Sequence, residues 1–264
     1  MKGRRAGRGG SGRSGTAPVL VWGRHPVREC LRARPGAAVR LLVVPSFGRR
    51  RDQAALLALA ERTGCPVEHA EPTQAGVPPG AVHQGVALEV RPFWWRGLEE
   101  LPALWGAARP LVVVCDQVTD PGNLGALIRS AAGLGAQAVL LPRRRNVPVT
   151  GHVFKASAGA VAHVALVEVD NVARTLEVLK EMGLWVAGLD PAGPAAVWAV
   201  DLVRPLALVV GSEGRGLRVL VRRACDLLLA VPQAGGTASL NVAVALGAAL
   251  YEVRRQWAAA GGGP

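Results

Sequence analysis

Aromatic rings other than tryptophan are scarce in this chain: its 264 residues hold one Tyr and three Phe. That scarcity disfavours a protein that reads nucleic acid mainly by stacking bases on aromatic side chains. Cysteine is as sparse. Cys30, Cys65, Cys115 and Cys225 stand far apart with no C-x-x-C pair, so neither zinc nor a disulfide framework is indicated, and no metal is expected. Cys115 and Cys225 lie in or beside apolar runs, where a free thiol behaves as a small hydrophobe, and a reducing cytoplasm fits. No apolar run of signal-peptide type follows the basic start, and no uncharged stretch has spanning length, so no membrane partner is expected. Carboxylates are missing from the N-terminal fifth: between Met1 and Arg51, Glu29 stands alone among repeated Arg and Lys.

What is present is a hydrophobic half, enough for a sizeable core, and a net charge of +12. An even coding bias would not concentrate cations at one end, so the balance points to a polyanionic partner, nucleic acid by default. Residues 1–16 are Gly/Arg/Ser-rich and read as a disordered basic tail. From 17 to 92 the strand-like VLVW, VRLLVVP and HQGVALEV alternate with the helix-like PVRECLRA and DQAALLALAERTG, a small α/β unit. Residues 93–109, proline-flanked and rich in Trp, read as a linker or docking segment.

From 110 to 258 near-continuous apolar strands alternate with helices, the pattern of a parallel sheet covered on both faces; residues 259–264 read as a second tail. The helix over NVARTLEVLKEMG has Asn171 as its cap, Val172, Leu176 and Leu179 on one face, and Gly183 at its end. Ligands of such sheets sit in loops beyond the carboxyl ends of the strands. Three loops there are unusual. In TDPGNLGALIRSAAGLG, Asn123 is placed to cap the helix, and Leu124, Leu127, Ile128, Ala131 and Leu134 form its buried stripe. Arg129 lies off that stripe among Gly125, Ala126, Ala132 and Gly133, a trough a phosphate could approach or a helix using small residues for tight packing. In GSEGRGL the spacing is G-x-x-G-x-G, neither the dinucleotide fingerprint nor a lysine phosphate loop, and Glu213 within it reads as a helix-capping acid or a ligand contact. In GGTASLN two glycines, two hydroxyls and an amide separate an apolar strand from an apolar helix. Ser239 or Asn241 can cap that helix, which must be buried all round against the sheet or another subunit.

Together, DPGNLGALIRSAAGLG, LALVVGSEGRGL and VPQAGGTASLNVAVALGAALYE resemble the three motifs of the SPOUT-class (SpoU/TrmH-type) RNA 2′-O-ribose methyltransferases, in order and spacing. The upstream VWGRHPVRECL and GAVHQGVALEV resemble the small substrate-binding domain, related in shape to a ribosomal protein, of members that methylate a guanosine ribose in 23S ribosomal RNA. The resemblance implies an α/β fold with a deep trefoil knot, a homodimer joined through the knot region, S-adenosylmethionine as cofactor and RNA, not DNA, as substrate. It implies cofactor contacts at Gly188, Gly211, Val231 and Leu240, and a polar active-site set of Asn123, Arg129, Glu213, Ser239 and Asn241. Gln233 stands where many relatives have Met, and His152, before the family-like KASAGA, reads as structural or RNA-facing. Other readings are a transfer-RNA methyltransferase of the same knot, a non-catalytic RNA-binding or assembly protein, and, more distantly, a dinucleotide oxidoreductase.

Overall fold

The computed structural model describes residues 18–91, 94–106, 108–235 and 239–261. The expected basic tail, residues 236–238 of the third loop and residues 262–264 of the second tail lie outside them.

The N-terminal unit runs β1 (Val19–Trp22), α1 (Arg24–Ala33), β2 (Ala38–Val43), α2 (Arg51–Arg62), β3 (Val67–His69) and β4 (Val86–Val90). Its sheet has the order β1-β4-β2-β3, antiparallel except between β2 and β3. The last strand begins at Val86 rather than at His83, because Gln84 and Gly85 both have positive φ (58° and 77°) and turn the chain. Strand β3 is three exposed residues, Val-Glu-His, too short for an alternation to reveal it.

After α3 (Leu101–Trp105), the C-terminal unit runs β5 (Leu111–Cys115), α4 (Pro121–Gly133), β6 (Ala138–Pro142), α5 (Gly151–Ala156), β7 (Ala165–Val169), α6 (Val172–Glu181), β8 (Trp185–Leu189), β9 (Ala195–Ala196), β10 (Leu206–Val210), α7 (Val219–Arg223), β11 (Leu227–Ala230) and α8 (Val242–Ala259). The strands form one sheet of order β7-β6-β5-β10-β8-β11-β9, parallel throughout. Alternate residues feed two cores. Leu111, Val113 and Cys115 face α4, α5 and α8, whereas Val112 and Val114 face α3, α6 and α7. Every residue of β5, β6 and β10 is buried, which is why these strands read as unbroken apolar runs. The segment expected as a linker or docking segment is docked on this unit: Leu101 is fully buried in the α6–α7 core, and the Arg96 N–H donates to Leu166 O at 2.9 Å, extending the β7 edge.

Helix α8 runs to Ala259, one residue past the expected boundary. Within one chain Val244 (56% exposed), Ala248 and Tyr251 (66% exposed), spaced four and three apart, form an open stripe on it. Its far end is fastened. The Trp257 indole donates to Leu202 O at 2.7 Å between the guanidiniums of Arg109 and Arg254, while Gln256 accepts from Leu202 N and donates to Val200 O. Among the described residues, no helix is long and apolar enough to cross a membrane.

The two units share one continuous core and meet along residues 151–163. Gly151 opens α5 directly against β1. A Cβ there would stand 2.1 Å from Leu20 O and 2.0 Å from the Trp22 ring. Beside it His152 meets Trp22 edge to face, Lys155 donates to Val82 O, Arg34 donates to Ala162 O and His163 pairs with Glu29 at 3.0 Å. Gly125 does the same for α4 against α5: a Cβ would stand 2.4 Å from Ala156 Cβ. The small residues around Arg129 therefore serve packing at Gly125, while Gly133 has open space. Leu134, expected in the stripe, is only half-buried.

Gly125→Ala is expected to destabilise the fold by about 1–3 kcal/mol through overpacking. Gly133→Ala, with no atom near its Cβ, should stabilise it by about 0.5–1 kcal/mol through helix propensity. Urea denaturation of the two variants measures both, and the same sign for both would contradict the packing.

Candidate active site

Strands β5, β10, β8 and β11 are neighbours in the sheet and parallel, so the loops that follow them open on one edge although the chain visits them in the order 5, 8, 10, 11. This reversal of strand order is the switch point at which open α/β sheets place their ligands.

The loops after β5, β10 and β11 are tied together by three side chains. Asn123 Nδ2 donates to Glu213 Oε2 at 2.7 Å. Asn241 Nδ2 donates to Glu213 Oε1 at 3.2 Å and to Asn123 Oδ1 at 2.7 Å, closing the ring. Asn241 also caps α8, its Oδ1 accepting from Ala243 N at 2.9 Å. Asn123 is not the cap of α4. Asp120 is, accepting from Asn123 N at 2.7 Å, with Pro121 at the first helical position. That leaves the Asn123 amide in the first turn of the helix, free to reach across to Glu213. Donor capacity then sorts the set. Both protons of Asn241 Nδ2 and its oxygen are engaged within the protein, so Asn241 acts as a fastener. Asn123 keeps a second amide proton and Glu213 keeps lone pairs for a ligand.

Ser239 is exposed two residues before the Asn241 cap. Arg129 is exposed on α4, six residues beyond Asn123, about 9 Å along the axis, and outside the ring. Helices α4 and α8 lie side by side in parallel, with Asn123 beside Asn241, Ser130 beside Gly247 and Gly135 beside Arg254. Among the expected cofactor contacts, Gly211 ends β10 in a turn closed by two bonds between Ser212 and Gly216. A Cβ on Gly211 would stand 2.1 Å from the Gly216 carbonyl carbon, so the glycine is required by the turn itself. Val231 and Leu240 are half-buried at either end of the third loop. Gly188 lies inside β8, where Leu217, Cys225 and Leu228 fill the space of its missing side chain at 2.7–3.1 Å. Its glycine character answers to packing on the α7 face.

Sequence reasoning missed Asp116 and Arg218. Asp116 ends β5 fully buried and accepts from Arg218 N at 3.1 Å and from the Arg218 guanidinium at 2.6 and 2.7 Å. It clamps the 211–217 turn onto β5 beneath the ring. A lone carboxylate ending the run LVVVCD was the available signal, since a buried charge requires a partner. Burial pushes the thiols of Cys30, Cys115 and Cys225 up to about 12, so they stay protonated and inert. Among the described residues, no cluster of three or more His, Cys, Asp or Glu could hold a metal ion.

A parallel α/β unit with a polar ring at its switch point, joined to a small α/β unit, defines a two-domain protein of the ligand-binding, loop-clustered kind. The description "SpoU rRNA Methylase family" matches residues 110–251, and "RNA 2'-O ribose methyltransferase substrate binding" matches residues 20–94. The chain is 40% identical over 240 residues to the 23S rRNA (guanosine-2′-O-)-methyltransferase RlmB of Pseudomonas putida, covering 89% of this chain and 96% of that one. The SpoU methyltransferase AviRb of Streptomyces viridochromogenes, solved in complex with the cofactor AdoMet, superposes with a TM-score of 0.77 at 26% identity over 95% of each chain. A protein described by its 2-OH methylation of C/U34 on tRNA matches with a TM-score of 0.51 at 32% identity, covering 57% of this chain and 98% of its own. The chain belongs to the SpoU rRNA methylase family.

Removing one partner of a buried ion pair leaves an uncompensated charge, at a cost of about 3–5 kcal/mol. Asp116→Ala, by contrast, removes the buried charge itself and leaves Arg218 to solvent, so the expected loss is that of the charge-assisted hydrogen bonds, about 1.5–3 kcal/mol, with loss of cofactor binding as the 211–217 turn comes free. Chemical denaturation and calorimetric titration check the two parts; a variant of undiminished stability would contradict the clamp.

Proposed function

We propose that this protein transfers a methyl group from S-adenosylmethionine to the 2′-hydroxyl of a guanosine in 23S ribosomal RNA, in the cytoplasm, as a homodimer. The single observation that carries the chemistry is the ring of Asn123, Glu213 and Asn241, which gathers the three family motifs at one sheet edge. The choice of ribosomal RNA rests on the N-terminal unit. The relative with 40% identity spans it, whereas the transfer-RNA protein is matched over 57% of this chain.

The residues suit the cofactor. Val231 and Leu240 offer a half-buried apolar lip, a Cβ on Gly235 would meet no atom of the described residues beyond its chain neighbours within 4 Å, and the Glu213 carboxylate suits a cationic sulfonium. When bound, S-adenosylmethionine supplies a methyl group already activated for in-line attack. Backbone around Gly211, Val231 and Leu240 would hold it. The protein's remaining tasks are to orient the ribose hydroxyl and to stabilise the charge that develops as its proton leaves. A guanidinium is a cation with donors only and no base, so Arg129 is not assigned that part. Its exposed guanidinium would instead pin the phosphate beside the target ribose and stabilise a developing alkoxide. Asn123, Glu213 and Ser239 keep polar atoms for the hydroxyl. A protein that only bound RNA would need none of this convergence.

The knotted topology is supported by the way α8 ends. The helix that begins inside the ring is fastened through Gln256 and Trp257 beneath residues 200–202, the segment that leads into β10. The dimer is supported by the open stripe of Val244, Ala248 and Tyr251, an apolar face that water would otherwise meet beside the site.

Mass-spectrometric mapping of methyl groups on unmodified ribosomal and transfer RNA tests the reaction. The expected product is a single 2′-O-methylguanosine in 23S RNA, and methylation confined to transfer RNA would overturn the assignment. Arg129→Ala should lower kcat by about 10²–10³, the usual cost of one transition-state donor, while affinity for S-adenosylmethionine changes little. Equal losses in both would refute that division of labour. Val244→Glu combined with Tyr251→Glu should yield a monomer by light scattering; a persistent dimer would exclude this face.

A further inference from the structure

The loop after β6 carries three consecutive arginines, and the structure uses only the first of them internally. Arg143 is neutralised twice, by Glu168 at 2.8 Å and Asp170 at 3.1 Å, and its N–H donates to Val169 O. Arg144 and Arg145 are exposed and make no hydrogen bond or ion pair among the described residues. Their position is nonetheless fixed. Asn146 Oδ1 accepts from Val118 N at 3.0 Å, and Val147 N donates to Val118 O at 2.9 Å. Asn146 Nδ2 closes on Val147 O at 3.1 Å. The turn is thereby bonded at both ends, to β7 through Arg143 and, through Val118, to the loop that leads into the Asp120 cap of α4. Arg145 itself has φ 61°, a left-handed backbone that a long side chain seldom adopts and that persists only where the surroundings impose it.

We infer that Arg144 and Arg145 form a preset clamp for RNA backbone phosphates next to the target nucleotide. The inference rests on the reading of this site as an RNA methyltransferase and adds a substrate-gripping element to it. Strand β6 is adjacent to β5 and ends on the same edge of the sheet. Adjacent strands are about 4.8 Å apart, so the turn lies roughly 10 Å across the edge from the β10 loop that carries Glu213. A strand of RNA with its ribose at the ring crosses that span. Two unpaired guanidiniums on a fixed turn meet phosphates with bidentate geometry, and little side-chain support has to be ordered first. Among the described residues no carboxylate pairs with either guanidinium: Glu168 and Asp170 bond Arg143, and Asp120 and Glu213 accept from amides. The donors of Arg144 and Arg145 are therefore open, and an anionic chain is the partner they fit.

The test uses the full-length protein and a 23S RNA transcript. Affinity is measured against salt for the wild type, for Arg144→Ala/Arg145→Ala and for Arg144→Lys/Arg145→Lys. Each phosphate contact contributes about 0.7 to the slope of log affinity on log salt for single strands, so losing two should flatten it by about 1.4. The alanine pair should also raise KM for RNA while leaving S-adenosylmethionine affinity intact, and the lysine pair should restore the slope, though not the full KM. An alanine pair whose slope matches the wild type would overturn the clamp. So would a parallel fall in S-adenosylmethionine affinity, which would mark the turn as structural support. Methyl transfer by the wild type is scored separately. Its absence would sink the assigned reaction, while the binding slope would still decide the clamp.

Discussion

Three loops separated in the chain by as many as 118 residues are held at one point by a single carboxylate. Glu213 accepts from Asn123 on one oxygen and from Asn241 on the other, and the two amides bond to each other. Each amide is itself seated by helix geometry: Asn123 through the Asp120 cap of α4, Asn241 as the cap of α8. The ring thus converts two helix starts and one strand-to-helix turn into a single polar surface. Beneath it the buried Asp116–Arg218 pair fixes the turn that presents Glu213. Without these bonds the edge would be three independent loops, and a reaction that depends on alignment would lose its geometry.

The ring can form only because of sheet order. Side-by-side placement of β5, β10, β8 and β11 brings their following loops to one edge, and the apolar residues of the strands supply the energy for that arrangement. The same sheet buries both faces, so the remaining freedom lies at its carboxyl edge and on the outer side of α8. The packing leaves surface at the ring, at the arginine turn after β6 and along the stripe of Val244, Ala248 and Tyr251, where the proposed site, clamp and dimer face lie.

The N-terminal unit is built into this frame rather than tethered to it. Gly151 lets the start of α5 rest on β1 at main-chain distance, and His152, Lys155 and His163 hold the contact with Trp22, Val82 and Glu29. His152, whose place beside the KASAGA motif suggested a structural or RNA-facing part, touches Trp22 with one edge and stays exposed. The N-terminal unit is docked on the helix that follows the arginine turn, so the two units rest on one shared element.

Much of this was legible in one dimension. Long apolar strands, helices with a clear period, Asn171 as a cap and Gly183 as a stop depend on neighbours within a few residues, and the sequence alone determined them. Three spaced motifs likewise determined the family and the polar residues worth watching. Tertiary structure decided what those residues do. Asn123 looked like a helix cap until Asp120 was seen to hold that position, and the space beside Gly188 is taken by Leu217 and Cys225, which the order of residues does not reveal. The pairing of Asp116 with Arg218, the docking of residues 94–105 and the pairing of Arg143 with Glu168 join residues far apart in the chain. Local propensity fixes which element forms. A hydrogen bond or an ion pair is fixed only when packing sets the distance between two atoms, and no reading of order along the chain contains that distance.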